Sequence, residues 1–225
     1  MSRRQNCIVV VLIILMACGI MAFVEAVMVP GYALKSVIKI FLFIAVPVLV
    51  ISRHKEVDLR GILRIEGKKL IAPILLGIVV YLIIIVAYYT IGRLFDFSQV
   101  AEAITGSSGV DKKEFVWVAL YISFINSLVE EFFFRGIGFL LLRQLTTRRV
   151  AYVFSAAAFS LYHVAIISSW FSFYLFLLLM ISLFVAGLLF NLLNEKSGTI
   201  YHSWLVHMCA NFAINTIGFI LFGIL

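Results

Sequence analysis

From Cys7 to Val24 the chain carries no charged residue, and six further apolar stretches follow at short intervals. A helical span of a bilayer needs roughly 20 predominantly apolar residues, and helices are favoured there because each satisfies its own backbone hydrogen bonds. Reading apolar runs between charges and turn residues predicts seven spans: 7–29, 32–51, 70–91, 115–142, 150–167, 170–193 and 199–225. Composition agrees. Charged residues make up 13% of the 225-residue chain, against about a quarter in soluble domains, too few to coat a water-exposed surface. A soluble enzyme, a disordered chain and a secreted disulfide scaffold are therefore excluded. Cys7, Cys18 and Cys209 are isolated within apolar runs and support neither a disulfide framework nor a thiolate metal site. The expected fold is all-α, a polytopic transmembrane helix bundle forming a single membrane domain over residues 1–225.

The net charge of +7 reads as basic cytoplasmic loops rather than nucleic-acid binding. With the N-terminus inside, twelve Lys and Arg fall on inner segments: Arg3, Arg4, six between Arg53 and Lys69, Arg143, Arg148, Arg149 and Lys196. The outer flanks hold Lys35, Lys39, Arg93, Lys112 and Lys113. The positive-inside rule thus predicts a cytoplasmic N-terminus. Lys35 and Lys39 lie in the first turns of the second span, and they are expected to snorkel toward the interface. Glu25, near the end of the first span, is expected to reach the same interface. The first span has an alternative as a cleaved signal, since Val24-Glu25-Ala26 follows its apolar core, which would leave six spans. Of the two sizeable loops, 53–69 and 92–113, the second carries a Gly106-Ser107-Ser108-Gly109 turn cluster.

Ionisable residues in a membrane segment cost roughly 2.5 to 3.5 kcal/mol each at the helix centre on insertion scales, and they mark functional positions by default. Glu130, Glu131 and Arg135 lie in the middle of the fourth span. Glu131 and Arg135 are four apart and share a helix face. Glu130 is rotated about 100° from Glu131, toward Asn126. An ion pair tying helices together accounts for Glu131 with Arg135. A second adjacent glutamate requires a proton, a metal or a partner on another helix.

Two later spans offer partners. His163 ends Phe159-Ser-Leu-Tyr-His163 in the fifth, and His207 and Asn211 lie four apart in the seventh. Ser203 and Asn215 extend the latter pair to a polar stripe, which must face protein or water rather than lipid. At 1.5 Å rise per residue, Glu130, His163 and His207 lie at roughly 20, 21 and 14 Å from the inner side, in one band.

These residues resemble the CAAX protease and bacteriocin-processing family of intramembrane endopeptidases, also called Abi or type II CAAX prenyl proteases. The family pattern is EExxxR, then FxxxH, then HxxxN, each on its own membrane helix. Glu130 to Arg135, Phe159 to His163 and His207 to Asn211 match it in order, within a motif-bearing core over 115–215. Ser197-Gly198-Thr199-Ile200 also looks like the family's turn into its last conserved helix. The resemblance implies peptide-bond hydrolysis at a membrane-embedded water site. Glu130 would be the general base, His163 would hold the water, and His207 and Asn211 would donate to the oxyanion. Arg135 and Phe159 would give structural support, and Glu131 would orient the helix or act directly. No cofactor is expected. The alternative is a zinc site on Glu130, His163 and His207, although the chain lacks HExxH.

The implied partners are the lipid bilayer and a peptide or membrane-protein substrate, prenylated substrates included. No nucleic acid is expected. The compact, short-looped chain suits a bacterial plasma membrane, with the site reached from the cytoplasmic side. A non-catalytic membrane regulator or bacteriocin self-immunity protein of the same fold is the chief rival. A transporter or proton pathway is a weaker one, because Pro30, Pro47 and Pro73 all precede the polar residues and no repeat is visible.

Overall fold

A computed structural model describes residues 2–51, 59–65, 69–97, 113–168 and 170–225, with side chains from 61 onward in the second of these segments. Among the described residues, seven helices are long and apolar enough to cross a membrane: α1 Arg3–Met28, α2 Tyr32–Ile51, α3 Ile71–Leu94, α4 Phe115–Leu145, α5 Arg148–Ile167, α6 Phe173–Ser197 and α7 Tyr201–Leu221. They agree with the seven predicted spans to within a few residues, and the described residues contain no strand. The chain is an integral membrane protein with an all-helical core. The Gly106–Gly109 turn cluster lies outside the described residues.

Helix α4 is the hub, with α1, α2, α5, α6 and α7 all packed against it. Every residue from Val129 to Phe139 is buried. That run has no lipid-facing side, which is how three charged residues reside there without meeting hydrocarbon. The backbone of α4 widens into π-helical turns at Ile122–Asn126 and Glu131–Leu141. Wide turns of this kind are rare and frequent at functional sites. They weaken the usual carbonyl pairing, and neighbouring side chains supply donors. Ser155 Oγ on α5 donates to Phe134 O at 2.8 Å. From α7, Asn211 Nδ2 reaches Ile122 O at 3.1 Å, Asn215 Nδ2 reaches Ala119 O at 3.0 Å, and Trp204 Nε1 reaches Phe124 O at 3.1 Å. The polar stripe on α7 thus faces protein, as membrane burial demands.

Small residues bring α5 and α6 together. A Cβ added at Gly187 would stand 2.9 Å from Ala156 Cα, closer than real Cβ atoms approach. Beside that contact, Asn191 Nδ2 donates to Tyr152 O at 3.1 Å. Small residues and side-chain amides are the usual means of joining helices in a membrane. Gly198 then ends α6 with φ +74°, a left-handed conformation open to glycine at little cost. It turns the chain directly into α7. Helix α3 packs mainly on α7 and is otherwise covered with exposed Ile, Leu and Val, a surface suited to lipid.

The second helix departs from expectation. Lys35 and Lys39 do not snorkel: both are buried, at 5% and 7% exposure. They lie four apart on one face, and each meets a carboxylate inside the bundle. Lys35 Nζ pairs with Glu25 of α1 at 2.7 Å, so Glu25 is tied inward rather than released to the interface. Lys39 Nζ pairs with Glu130 at 2.5 Å. A turn later α2 widens over Phe41–Ala45. Pro47 follows, a residue that lacks an N–H and whose ring crowds the carbonyl four positions back. The snorkelling rule failed because it weighs the distance to water and not the acidic partners waiting within.

Candidate active site

Glu130 is 3% exposed, and its two oxygens face different surroundings. Oε1 accepts from Lys39 Nζ at 2.5 Å and from Asn126 Nδ2 at 3.1 Å, while Lys39 Nζ also donates to Asn126 Oδ1 at 2.6 Å. Oε2 lies 3.7 Å from His207 Nε2, beyond hydrogen-bond range. Asn126 is one helical turn before Glu130, on the face the sequence spacing predicts. The partner on another helix that Glu130 required is Lys39.

Glu131 is fully enclosed. Its Oε1 lies 2.9 Å from His207 Nδ1 and 3.3 Å from Arg135 Nη1, and its Oε2 accepts from Ser203 Oγ. Ser203 is itself held by Asn194 of α6, whose Nδ2 donates to Oγ at 2.6 Å. With a carboxylate at Nδ1, the neutral His207 ring carries its proton there, and Nε2 presents a lone pair toward Glu130. Nε2 donates a hydrogen bond only when the ring is protonated.

The Arg135 guanidinium lies in the angle between two aromatic faces, 3.9 Å from the Phe159 centroid and 4.9 Å from that of Phe190. Its nitrogens make no hydrogen bond of good geometry, so the ion pair with Glu131 and the ring faces carry its charge. Phe190 also stacks on His207 at 5.4 Å, and Phe159 meets His207 edge-on at 5.7 Å. Phe159 of the second motif therefore supports both the arginine of the first and the histidine of the third. His163 ends α5 proper, with Nδ1 2.8 Å from Phe159 O. A carbonyl only accepts, so Nδ1 carries the proton and Nε2 is left as an acceptor. Glu130 and His207 both lie within electrostatic range of His163.

The structure thus gathers Glu130, Glu131, Arg135, Phe159, His163 and His207 around one point. Asn211 sits one turn beyond His207, with one amide hydrogen given to Ile122 O and a second remaining. Two carboxylates and two cations make the cluster formally neutral. Sequence reasoning counted three deep charges within one motif and missed the fourth, Lys39, as well as the aromatic lid from Phe190 and the Ser203–Asn194 support. The signal for Lys39 was present as a lysine four residues after Lys35 in a segment otherwise fit to span the bilayer.

The fit of a metal can be judged from the donors. Among the described residues, no group of three or more His, Cys, Asp and Glu side chains is arranged to hold a metal ion. The Lys39 ammonium already sits on Glu130, where it would repel a divalent cation. The residues as arranged do not fit zinc.

Fold and site together define a polytopic membrane protein built around a buried carboxylate–histidine cluster. Residues 112–213, which hold all three motifs, match the family model described as Type II CAAX prenyl endopeptidase Rce1-like. That segment, a little under half of the chain, is similar to this family of membrane proteases. No curated protein and no solved structure matches the chain.

Proposed function

We propose that the protein is an intramembrane endopeptidase of the CAAX type, working through a glutamate-activated water without a metal. The observation that carries this reading is the 3.7 Å separation of Glu130 Oε2 and His207 Nε2. Two atoms at that distance can both hydrogen-bond one water placed off their connecting line at about 2.8 Å from each. Lys39 and Asn126 occupy Oε1, so Oε2 is the oxygen left to take the water's proton. His207 Nε2, which has a lone pair in the neutral ring, serves the water's second hydrogen, and His163 lies within electrostatic range of both groups. The resulting hydroxide attacks the scissile carbonyl carbon. Glu130 then delivers its proton to the leaving nitrogen as the C–N bond breaks.

The tetrahedral oxyanion needs donors. Asn211 has its remaining amide hydrogen, and His207 can add an Nε2–H only in its protonated form. The neutral-histidine version of this role does not fit the tautomer set by Glu131. The family description supports, as the substrate class, a peptide or protein with a prenylated C-terminal motif, entering from the side where Arg143 and Arg148 bracket the α4–α5 turn, taken as cytoplasmic from the basic bias.

The test uses the full chain purified into lipid nanodiscs, with a farnesylated C-terminal CAAX peptide and mass spectrometry of the products. Wild type should release the terminal tripeptide and Glu130→Gln should not. A wild type that leaves this peptide and its unprenylated form intact, while properly folded, overturns the reading and favours a regulatory protein of the same fold.

A further inference from the structure

We infer that Lys39 is a positioning residue of the site, pinning one oxygen of Glu130 so that the other is presented to the water. The inference rests on the endopeptidase reading and adds to it a group from α2, outside the three motifs and outside the segment matched by the family model.

The geometry is specific. Lys39 Nζ touches Glu130 Oε1 and Asn126 Oδ1, and Asn126 Nδ2 closes the loop to the same Oε1. Two groups that also bond each other thus fix a single oxygen, while Oε2 of the same carboxylate has His207 Nε2 as its nearby polar neighbour at 3.7 Å. The ammonium is further bounded by the faces of Tyr162 at 4.9 Å and Phe43 at 5.6 Å. The Phe43 ring stacks on Phe133 of α4 at 4.0 Å, which fixes α2 against the helix that carries Glu130. Lys39 therefore has little freedom to swing away from the carboxylate.

A stability role alone is a poor account of this lysine. A buried ion pair gives little net stabilisation over an apolar pair of similar volume, because desolvation offsets the attraction. Lys35, on the same face of α2, supplies a built-in comparison: it pairs with a part-buried carboxylate, Glu25 of α1, rather than with Glu130. Near Glu130, removing the lysine leaves Oε1 to Asn126 Nδ2 alone and the carboxylate charge uncompensated. A catalytic carboxylate misplaced by about 1 Å loses on the order of 100-fold in rate.

The experiment compares Lys39→Gln, Lys39→Arg, Lys35→Gln and Glu130→Gln in nanodiscs, with kcat, KM and melting temperature measured for each. Lys39→Gln is expected to lower kcat about 100-fold with KM little changed. Lys39→Arg, which keeps the charge, should recover much of that loss, and Lys35→Gln should lower the melting temperature without a comparable fall in kcat. A Lys39→Gln variant with wild-type kcat, or a loss that merely tracks melting temperature across all lysine variants, overturns the inference. Should Lys39→Gln fail to fold, Lys39→Arg decides: activity well above Glu130→Gln supports it, and activity as low as Glu130→Gln overturns it. A double-mutant cycle on melting temperature, Lys39→Gln with Glu130→Gln, is independent of the substrate. If wild type cleaves nothing, the endopeptidase reading fails, and an additive cycle would separately show that the pair itself does not form.

Discussion

The imidazole of His207 stands with Nδ1 2.9 Å from Glu131 Oε1, so the second glutamate of the motif orients the histidine of the third. One ring thereby links two adjacent carboxylates, with Glu131 behind it and Glu130 in front. Glu131→Gln should lower kcat by roughly 10⁴-fold, by analogy with removing the acid that orients a catalytic histidine, and should also cost stability because buried Arg135 loses its counter-ion. Steady-state kinetics on the nanodisc protein reads this. An unchanged kcat would return Glu131 to a helix-tying role.

Arg135 holds Glu131 and is held by Phe159 and Phe190. Arg135→Met leaves the Glu131 carboxylate buried with its cation gone, a loss on the order of 3 to 5 kcal/mol of stability. Arg135→Lys keeps the charge but not the planar stack, so its loss should be smaller and still clear. Unfolding in mixed micelles ranks the two. Equal stability of Arg135→Met and wild type would contradict the enclosed ion pair.

Two asparagines on α7 make similar bonds to α4 but have different places in the mechanism. Asn215→Leu should cost about 0.6 to 2 kcal/mol of stability and leave kcat unaltered. Asn211→Leu should cost a similar amount and also reduce kcat, since it removes an oxyanion donor. Parallel measurement of melting and turnover separates them, and identical kinetic behaviour would remove Asn211 from the chemistry.

The contact between α5 and α6 leaves no room for a side chain at Gly187. Gly187→Val forces the helices apart, with an expected loss of about 1 to 3 kcal/mol. Retained melting temperature would show that α6 slides at little cost.

Chelation should have no effect on cleavage, and zinc should not copurify in stoichiometric amount. Metal analysis of the purified protein beside activity in the presence of a chelator tests both. Stoichiometric zinc removed together with activity would require Glu130, His163 and His207 to rearrange into ligands, against the Lys39 contact seen here.

Seven spans were legible because apolar length alone determines them. The polar stripe on α7 was legible too, because four-residue spacing on a membrane helix leaves few alternatives. The pairing of Lys39 with Glu130 was not, since it joins residues far apart in the chain and no periodicity links α2 to α4. The tautomers of His163 and His207 were equally out of reach. They depend on which nitrogen meets Phe159 O and which meets Glu131, and spacing carries no such information.

The charges that make α4 the centre of the bundle also make it a poor candidate to enter a bilayer by itself. Its best window has a mean hydropathy of 1.4, against 3.2 for α1 and 2.4 for α2. Because α1 and α2 precede α4 in the chain, Lys39 is synthesised before Glu130. The order of helices along the chain thus lets an ammonium receive the carboxylate as it partitions into lipid. The same ion pair that shapes the site eases the biogenesis of the helix that bears it.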